Sequence, residues 1–222
     1  MRPIYLKEGR TPRDILLAVM CATAFDRASR EGRYPTWGAA LFHPDQGSWT
    51  QAEYLQLDAG RHVEYSKGHV ELQPMPDEQH QAIVGFLYLA LRALASARGG
   101  RVRFAPFPVR LWEEKYHEPD VCFMKNENLA RCQGRHWDGA DLVIEVLSDT
   151  NRDHDLVTKR DEYARAGIGE YWIVDPIERK VRLLVLSAGI YVEHAVAMDG
   201  QRIASLSLPG FEIDVTAALD AE

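Results

Sequence analysis

The sequence predicts an α/β domain in which a mixed β-sheet is flanked by helices. Three observations carry this. Two nearly continuous apolar runs, Asp141-Leu-Val-Ile-Glu-Val-Leu147 and Tyr171-Trp-Ile-Val-Asp175, have the length and β-branched content of strands buried on both faces. A helical pattern from about Asp153 to Ala166 separates them, and strand, crossover helix and strand make a right-handed parallel unit. Ahead of both, Glu78 to Ala97 reads as an amphipathic helix, with Ile83, Leu87, Leu91 and Leu94 at helical spacing.

The other elements follow in order. Thr11-Pro-Arg-Asp14 has the form of an N-cap with proline at the first helical position, so residues 12–30 are expected to be helical, with a loop over 31–48. Residues 1–48 are thus expected to form an extension, and 49–219 the main domain. Thr50 with Glu53 makes a capping box that opens a short helix to about Leu57. Two alternating segments around Ser66-Lys-Gly68 predict a hairpin over Arg61 to Gln73. Residues 101–112 fit a strand pair or one strand bent at Pro106 and Pro108, and Asp120 heads an apolar strand to Met124. Residues 126–139 read as a polar loop, whose Arg131, Arg135 and His136 could follow a phosphate backbone but are more commonly just solvated. Further strands are expected from about Lys180 to Leu208.

Composition narrows the function classes. With 222 residues, 46% of them apolar and 27% charged, the chain can bury a core, and it is not a low-complexity sequence. Cys21, Cys122 and Cys132 are odd in number and form no metal-type pair, which points to a reducing compartment; the expected location is the cytoplasm. The longest apolar run, Ile15 to Phe25, is too short to span a bilayer, so no membrane association is expected. A net charge of -7 argues mildly against a general nucleic-acid binder. Carboxylates gathered to hold a divalent cation would give the same acidic balance in a protein that still attracts phosphate once metallated.

Candidate functional residues sit around the central strand. A carboxylate inside a buried strand is costly unless it is paired, protonated or metal-bound, so Glu145 requires a partner. Asp155, Lys159 and Tyr163 are spaced by four on the helix that returns over that strand, which places Lys159 near Glu145. Glu64 and Glu71 lie in the hairpin, where an isolated glutamate is more often solvent-facing. His80 shares the apolar stripe of its helix and points to the sheet; a satisfied first-turn histidine and a catalytic or phosphate-contacting one both fit. Asp141 could support the site or cap the start of its strand. Carboxylates from different strands plus one lysine are the minimum kit for metal-assisted phosphodiester hydrolysis. No nucleophile elbow, phosphate-binding glycine loop or zinc spacing competes.

In series, these motifs resemble the PD-(D/E)XK nuclease superfamily, and most closely its Uma-two family of endonucleases. The matching pieces are Val63 to Glu71, His80, Glu118-Pro-Asp-Val121, Asp141 to Ser148, Lys159 to Tyr163, Glu170 to Pro176 and Leu208-Pro-Gly-Phe211, within a stretch from about Trp49 to Leu219. The resemblance implies a restriction-endonuclease-like core, with Asp120, Glu145 and Glu64 on a magnesium or manganese ion and Lys159 as the catalytic lysine. It also implies DNA as the substrate and a homodimer as the assembly. One position departs from the superfamily pattern, which has lysine two residues after the glutamate, where this chain has Leu147. The alternatives are a non-catalytic regulatory module on the same fold, which predicts weak or absent metal binding at Asp120 and Glu145, and more distantly a carboxylate-pair glycosidase, whose activity would survive EDTA.

Overall fold

Burial sorts the strands. In the computed structural model, which describes residues 44–57, 62–148, 152 and 154–222, every residue of Leu142–Val146 (β8) and Glu170–Asp175 (β9) is buried. The expected helix over 12–30, Cys21 and most of the loop after that helix lie outside the described residues. Residues 46–222 form one unit.

The elements preceding β8 are Gln51–Tyr54 (α1), Val63–Ser66 (β1), His69–Leu72 (β2), Glu78–Arg98 (α2), Arg101–Phe104 (β3), Val109–Trp112 (β4), Lys115–His117 (β5), Val121–Met124 (β6) and Trp137–Asp138 (β7). A π-helical turn, His154–Lys159, runs into Arg160–Arg165 (α3) between β8 and β9. Lys180–Ser187 (β10), Ile190–Met198 (β11), Arg202–Ala204 (β12), Glu212–Asp214 (β13) and Val215–Leu219 (α4) complete the chain.

The main sheet has six strands in the order β11-β10-β9-β8-β6-β3. Within this sheet, among the described residues, β8 and β9 pair in parallel, joined by the expected crossover through α3, and its other ladders are antiparallel. A five-stranded sheet, β2-β1-β5-β4-β7, and a β12-β13 pair complete the mixed α/β architecture. Alternation on β8 divides the core. Leu142, Ile144 and Val146 pack with Ile83, Val84, Leu87 and Leu91 of α2, while Val143 and Leu147 pack with Tyr163 and Ala164 of α3. Helix α2 is long and apolar enough to cross a membrane by length and composition, yet its apolar stripe is spent on this sheet.

Local signals read in the sequence recur. Thr50 and Glu53 form the reciprocal capping box at α1. The β1–β2 hairpin turns at Lys67 and Gly68, both with positive φ, and a Cβ at Gly68 would lie 2.7 Å from the carbonyl oxygen of Gly47. Asp77 caps α2 by accepting from the His80 amide at 2.8 Å, which fixes His80 in the first turn. Two stretches differ from expectation. The 126–139 segment, expected as a loop, holds a 3-10 turn over Asn126–Arg131 as well as β7. The stretch expected as a regular helix from Asp153 begins with the wider π turn, and that turn carries buried Asp155 and Lys159.

Candidate active site

The antiparallel ladder between β6 and β8 ends at Val121 opposite Ile144. Asp120 sits one residue before β6, and the pleat of β8 turns Glu145 to the side covered by α3, as it does Val143 and Leu147. Asp120 is fixed at both oxygens: Oδ2 accepts from the Val146 amide at 2.7 Å, and Oδ1 lies 3.1 Å from His80 Nε2. Glu145 Oε1 accepts from the Tyr163 hydroxyl at 2.5 Å. Lys159 Nζ lies 3.0 Å from the same oxygen, 3.1 Å from Asp155 Oδ1 and 3.4 Å from Glu64 Oε1. Lys159 and Tyr163, four residues apart, thus both reach the Glu145 carboxylate, and Asp155, four residues before the lysine, pairs with its ammonium.

Asp120, Glu145, Asp155, Lys159 and His80 line a cleft of about 560 Å3, whose rim includes Met75, Pro106 and Ile177. Glu64 stands behind Lys159, outside the cleft lining. Its Oε2 is 2.6 Å from His117 Nδ1 and 3.7 Å from His154 Nε2. All five candidate residues, Asp120, Glu145, Lys159, Glu64 and His80, therefore gather in one charged region.

The electrostatics explain one another. Burial, opposed by Lys159 but reinforced by Asp120 and Asp155, pushes Glu145 up to about 8. Burial also works to raise Asp120, but the hydrogen bond and charge of His80 outweigh it and hold that carboxyl below its usual range. Glu64 stays well below the carboxylate range because His117 and Lys159 overcome its desolvation. Desolvation of Lys159 is in turn overcome by Glu145, Glu64 and Asp155, which hold its ammonium well above the usual lysine range. Among the described residues, the cleft lining therefore carries one permanent cation, Lys159, among carboxylates that outnumber it, and Glu145 is left short of positive charge. A divalent ion would supply the missing positive charge in exchange for the proton that burial holds on Glu145, and carboxylate oxygens suit a hard ion, so Asp120 and Glu145 fit magnesium or manganese.

Several neighbours could not be read from the sequence. His117 and His154 carry no local pattern, and Glu118 and Glu162, though inside matching motifs, had no role assigned, because these contacts arise where the five-stranded sheet meets the crossover. Glu118 lies just outside β5, accepting from the Val63 amide at 2.9 Å and, more distantly, from the Tyr54 hydroxyl at 3.4 Å. Asp141 caps its strand, accepting from the Lys125 amide and the Asn128 side chain at 2.6 Å each. The basic residues of the 126–139 segment are held internally: Arg131 by the Asp138 carbonyl, Arg135 by the Leu55 carbonyl, and His136 beside Asp138.

A mixed sheet with a parallel crossover, bearing two facing strand carboxylates and a lysine, defines a restriction-endonuclease-like domain. Residues 51–216 match the Uma2 family, described as "Putative restriction endonuclease", and the chain belongs to that family. Its fold is similar to that of a solved protein from Anabaena variabilis, described as "a putative nuclease belonging to DUF820". That likeness has a TM-score of 0.61 at 17% identity, covering 79% of this chain and 99% of the other. No curated protein matches the chain.

Proposed function

We propose that this chain is a metal-dependent endonuclease that hydrolyses phosphodiester bonds in DNA. The observation that carries the reading is the convergence of Asp120, Glu145 and Lys159 on one cleft, from two neighbouring strands and the crossover helix between β8 and β9. Asp120 and Glu145 would hold magnesium or manganese. When bound, that ion supplies an acidified water as nucleophile and a counter-charge for the phosphate.

The chain's own residues do the rest. Tyr163 and Lys159 fix the Glu145 carboxylate from the helix side. His80 and the Val146 amide fix Asp120. Lys159, kept protonated by its carboxylates, presents a positive charge where negative charge grows on the phosphate. Glu64 and Asp155 hold the lysine against the cleft wall.

The reading includes a cytoplasmic homodimer, supported by the family resemblance for the assembly and by the cysteine content for the compartment. Light scattering on the purified chain tests the assembly. The activity is tested by nicking of supercoiled plasmid with magnesium or manganese. Metal-dependent nicking, abolished by EDTA and by Glu145→Gln, is the expected result. Absence of both cleavage and calorimetric metal binding would favour a binding module on the same fold.

A further inference from the structure

We infer that Glu64, His117 and His154 form a second cation site, suited to a divalent transition ion of the zinc class and distinct from the Asp120–Glu145 cleft. One donor atom from each residue lies within 4.8 Å of the other two. Glu64 Oε2 is 2.6 Å from His117 Nδ1 and 3.7 Å from His154 Nε2. Donors sharing a tetrahedral zinc at about 2.1 Å stand about 3.4 Å apart, so shifts of about 1 Å would complete the set.

Two further observations point to a ligand. Buried polar atoms as a rule have partners. The His117 side chain is fully buried, yet its Nδ1, although close to Glu64, makes no well-angled hydrogen bond, and His154 Nε2 is buried without one. The second observation lies on the far side of the His117 ring. Its Nε2 is bonded to Glu162, which Lys115 holds at 2.9 Å. A metal-binding histidine commonly gives its second N–H to a carboxylate, which fixes the tautomer and leaves the other nitrogen's lone pair for the ion. Glu162 stands in that position, and Nδ1 is left facing Glu64 and His154.

The chemistry selects the ion. Two imidazole nitrogens and one carboxylate favour zinc-like ions, whereas magnesium prefers oxygen ligands and water. Glu64 divides its oxygens: Oε2 faces the histidines and Oε1 faces Lys159. Three protein donors leave a coordination position open, and His154, with 31% of its side chain exposed, marks the route of access.

The test is a titration of chelator-treated full-length protein with cobalt(II) chloride, followed by visible absorption and calorimetry. The expected result is one equivalent that carries the intense d–d bands of four-coordinate, nitrogen-ligated cobalt, displaced by zinc but not by excess magnesium, whereas cobalt in the oxygen-lined cleft gives only weak bands. Those bands should persist in Glu145→Gln, which disables the cleft but not this site. Affinity should fall about 10-fold or more in His154→Ala and about 10- to 100-fold in Glu162→Gln. His154 is chosen because it is partly exposed, whereas replacing buried His117 endangers the fold. Cobalt affinity unchanged in His154→Ala, bands lost in Glu145→Gln, or displacement by magnesium would each overturn the site. The cluster would then be an ion-pair network with His117 held between Glu64 and Glu162. Plasmid nicking depends on Glu145, so the endonuclease reading stands or fails separately.

Discussion

Lys159 reaches Glu145 from a different element, with Nζ 3.0 Å from Oε1. The superfamily pattern places lysine two residues after the glutamate, and here that position is Leu147, buried against α3 in the same apolar cluster as Tyr163. Glu145 and Leu147 face the same helix, and the lysine that meets Glu145 comes from the turn before α3 instead of from the strand.

Lys159→Met should therefore lower cleavage by about 10²- to 10³-fold, the usual effect of removing one donor aimed at developing charge. It should also destabilise the fold by about 3–5 kcal/mol, because Glu145, Asp155 and Glu64 lose their shared cation while still buried. Denaturant unfolding in EDTA beside a nicking assay checks both. An inactive variant of undiminished stability would mean that the lysine is not the electrostatic centre of the cluster.

Glu145→Gln should have the opposite effect on stability. The native protein keeps a proton on Glu145 up to about 8, while the unfolded chain releases it near the ordinary value of 4.5. Stability from this group therefore falls as pH rises between those values, since the native state binds more protons there. The glutamine variant removes that slope, and at pH 7 it should be more stable than the parent by about 1–3 kcal/mol while losing cleavage. Paired unfolding curves from pH 5 to about 8 decide it. Parallel curves would show that Glu145 does not titrate in this window.

The parts of the fold that the sequence revealed are those that local physics determines. β8 and β9 are apolar throughout because both faces are covered, α2 shows its stripe because one side packs on the sheet, and Thr50 with Glu53 announces α1. Spacing alone put Lys159 on the helix face that meets Glu145. The π turn was not legible, since a single wider turn leaves the apolar spacing almost unchanged. Neither was the surrounding of Glu64. That carboxylate is buried because β1 pairs with the three-residue strand β5, with Tyr65 opposite Tyr116, which brings His117 alongside. Such a pairing depends on long-range register, and a single glutamate in a hairpin carries no trace of it.

His80 is predicted to act by holding Asp120 ionised. Its Nε2 lies 3.1 Å from Asp120 Oδ1, and that contact offsets burial to keep the Asp120 carboxyl low. His80→Ala should let Asp120 rise, move the acid limb of the cleavage profile to higher pH and reduce activity by about 10- to 100-fold. His80→Asn, which retains a donor, should recover part of the loss. Profiles of the three proteins that superimpose would leave His80 with only its first-turn packing.

Glu170 gives a prediction about stability alone. Its side chain is fully buried at the start of β9, where Oε1 accepts from Trp172 Nε1 at 2.6 Å and Oε2 from the Ser207 amide at 2.7 Å. These bonds tie the central sheet to the segment between β12 and β13, far from the cleft lining in sequence and absent from it in structure. Each hydrogen bond contributes about 0.5–1.5 kcal/mol, and each buried donor left unpaired adds about 1–3 kcal/mol of desolvation cost. Glu170→Ala should therefore destabilise the protein by about 3–5 kcal/mol. Below its lowered melting temperature, metal affinity at Asp120 and Glu145 should stay unchanged. If calorimetry instead found metal binding lost while near-UV circular dichroism matched the parent, Glu170 would have to act on the cleft through β9, beside which Glu145 pairs with Ile173.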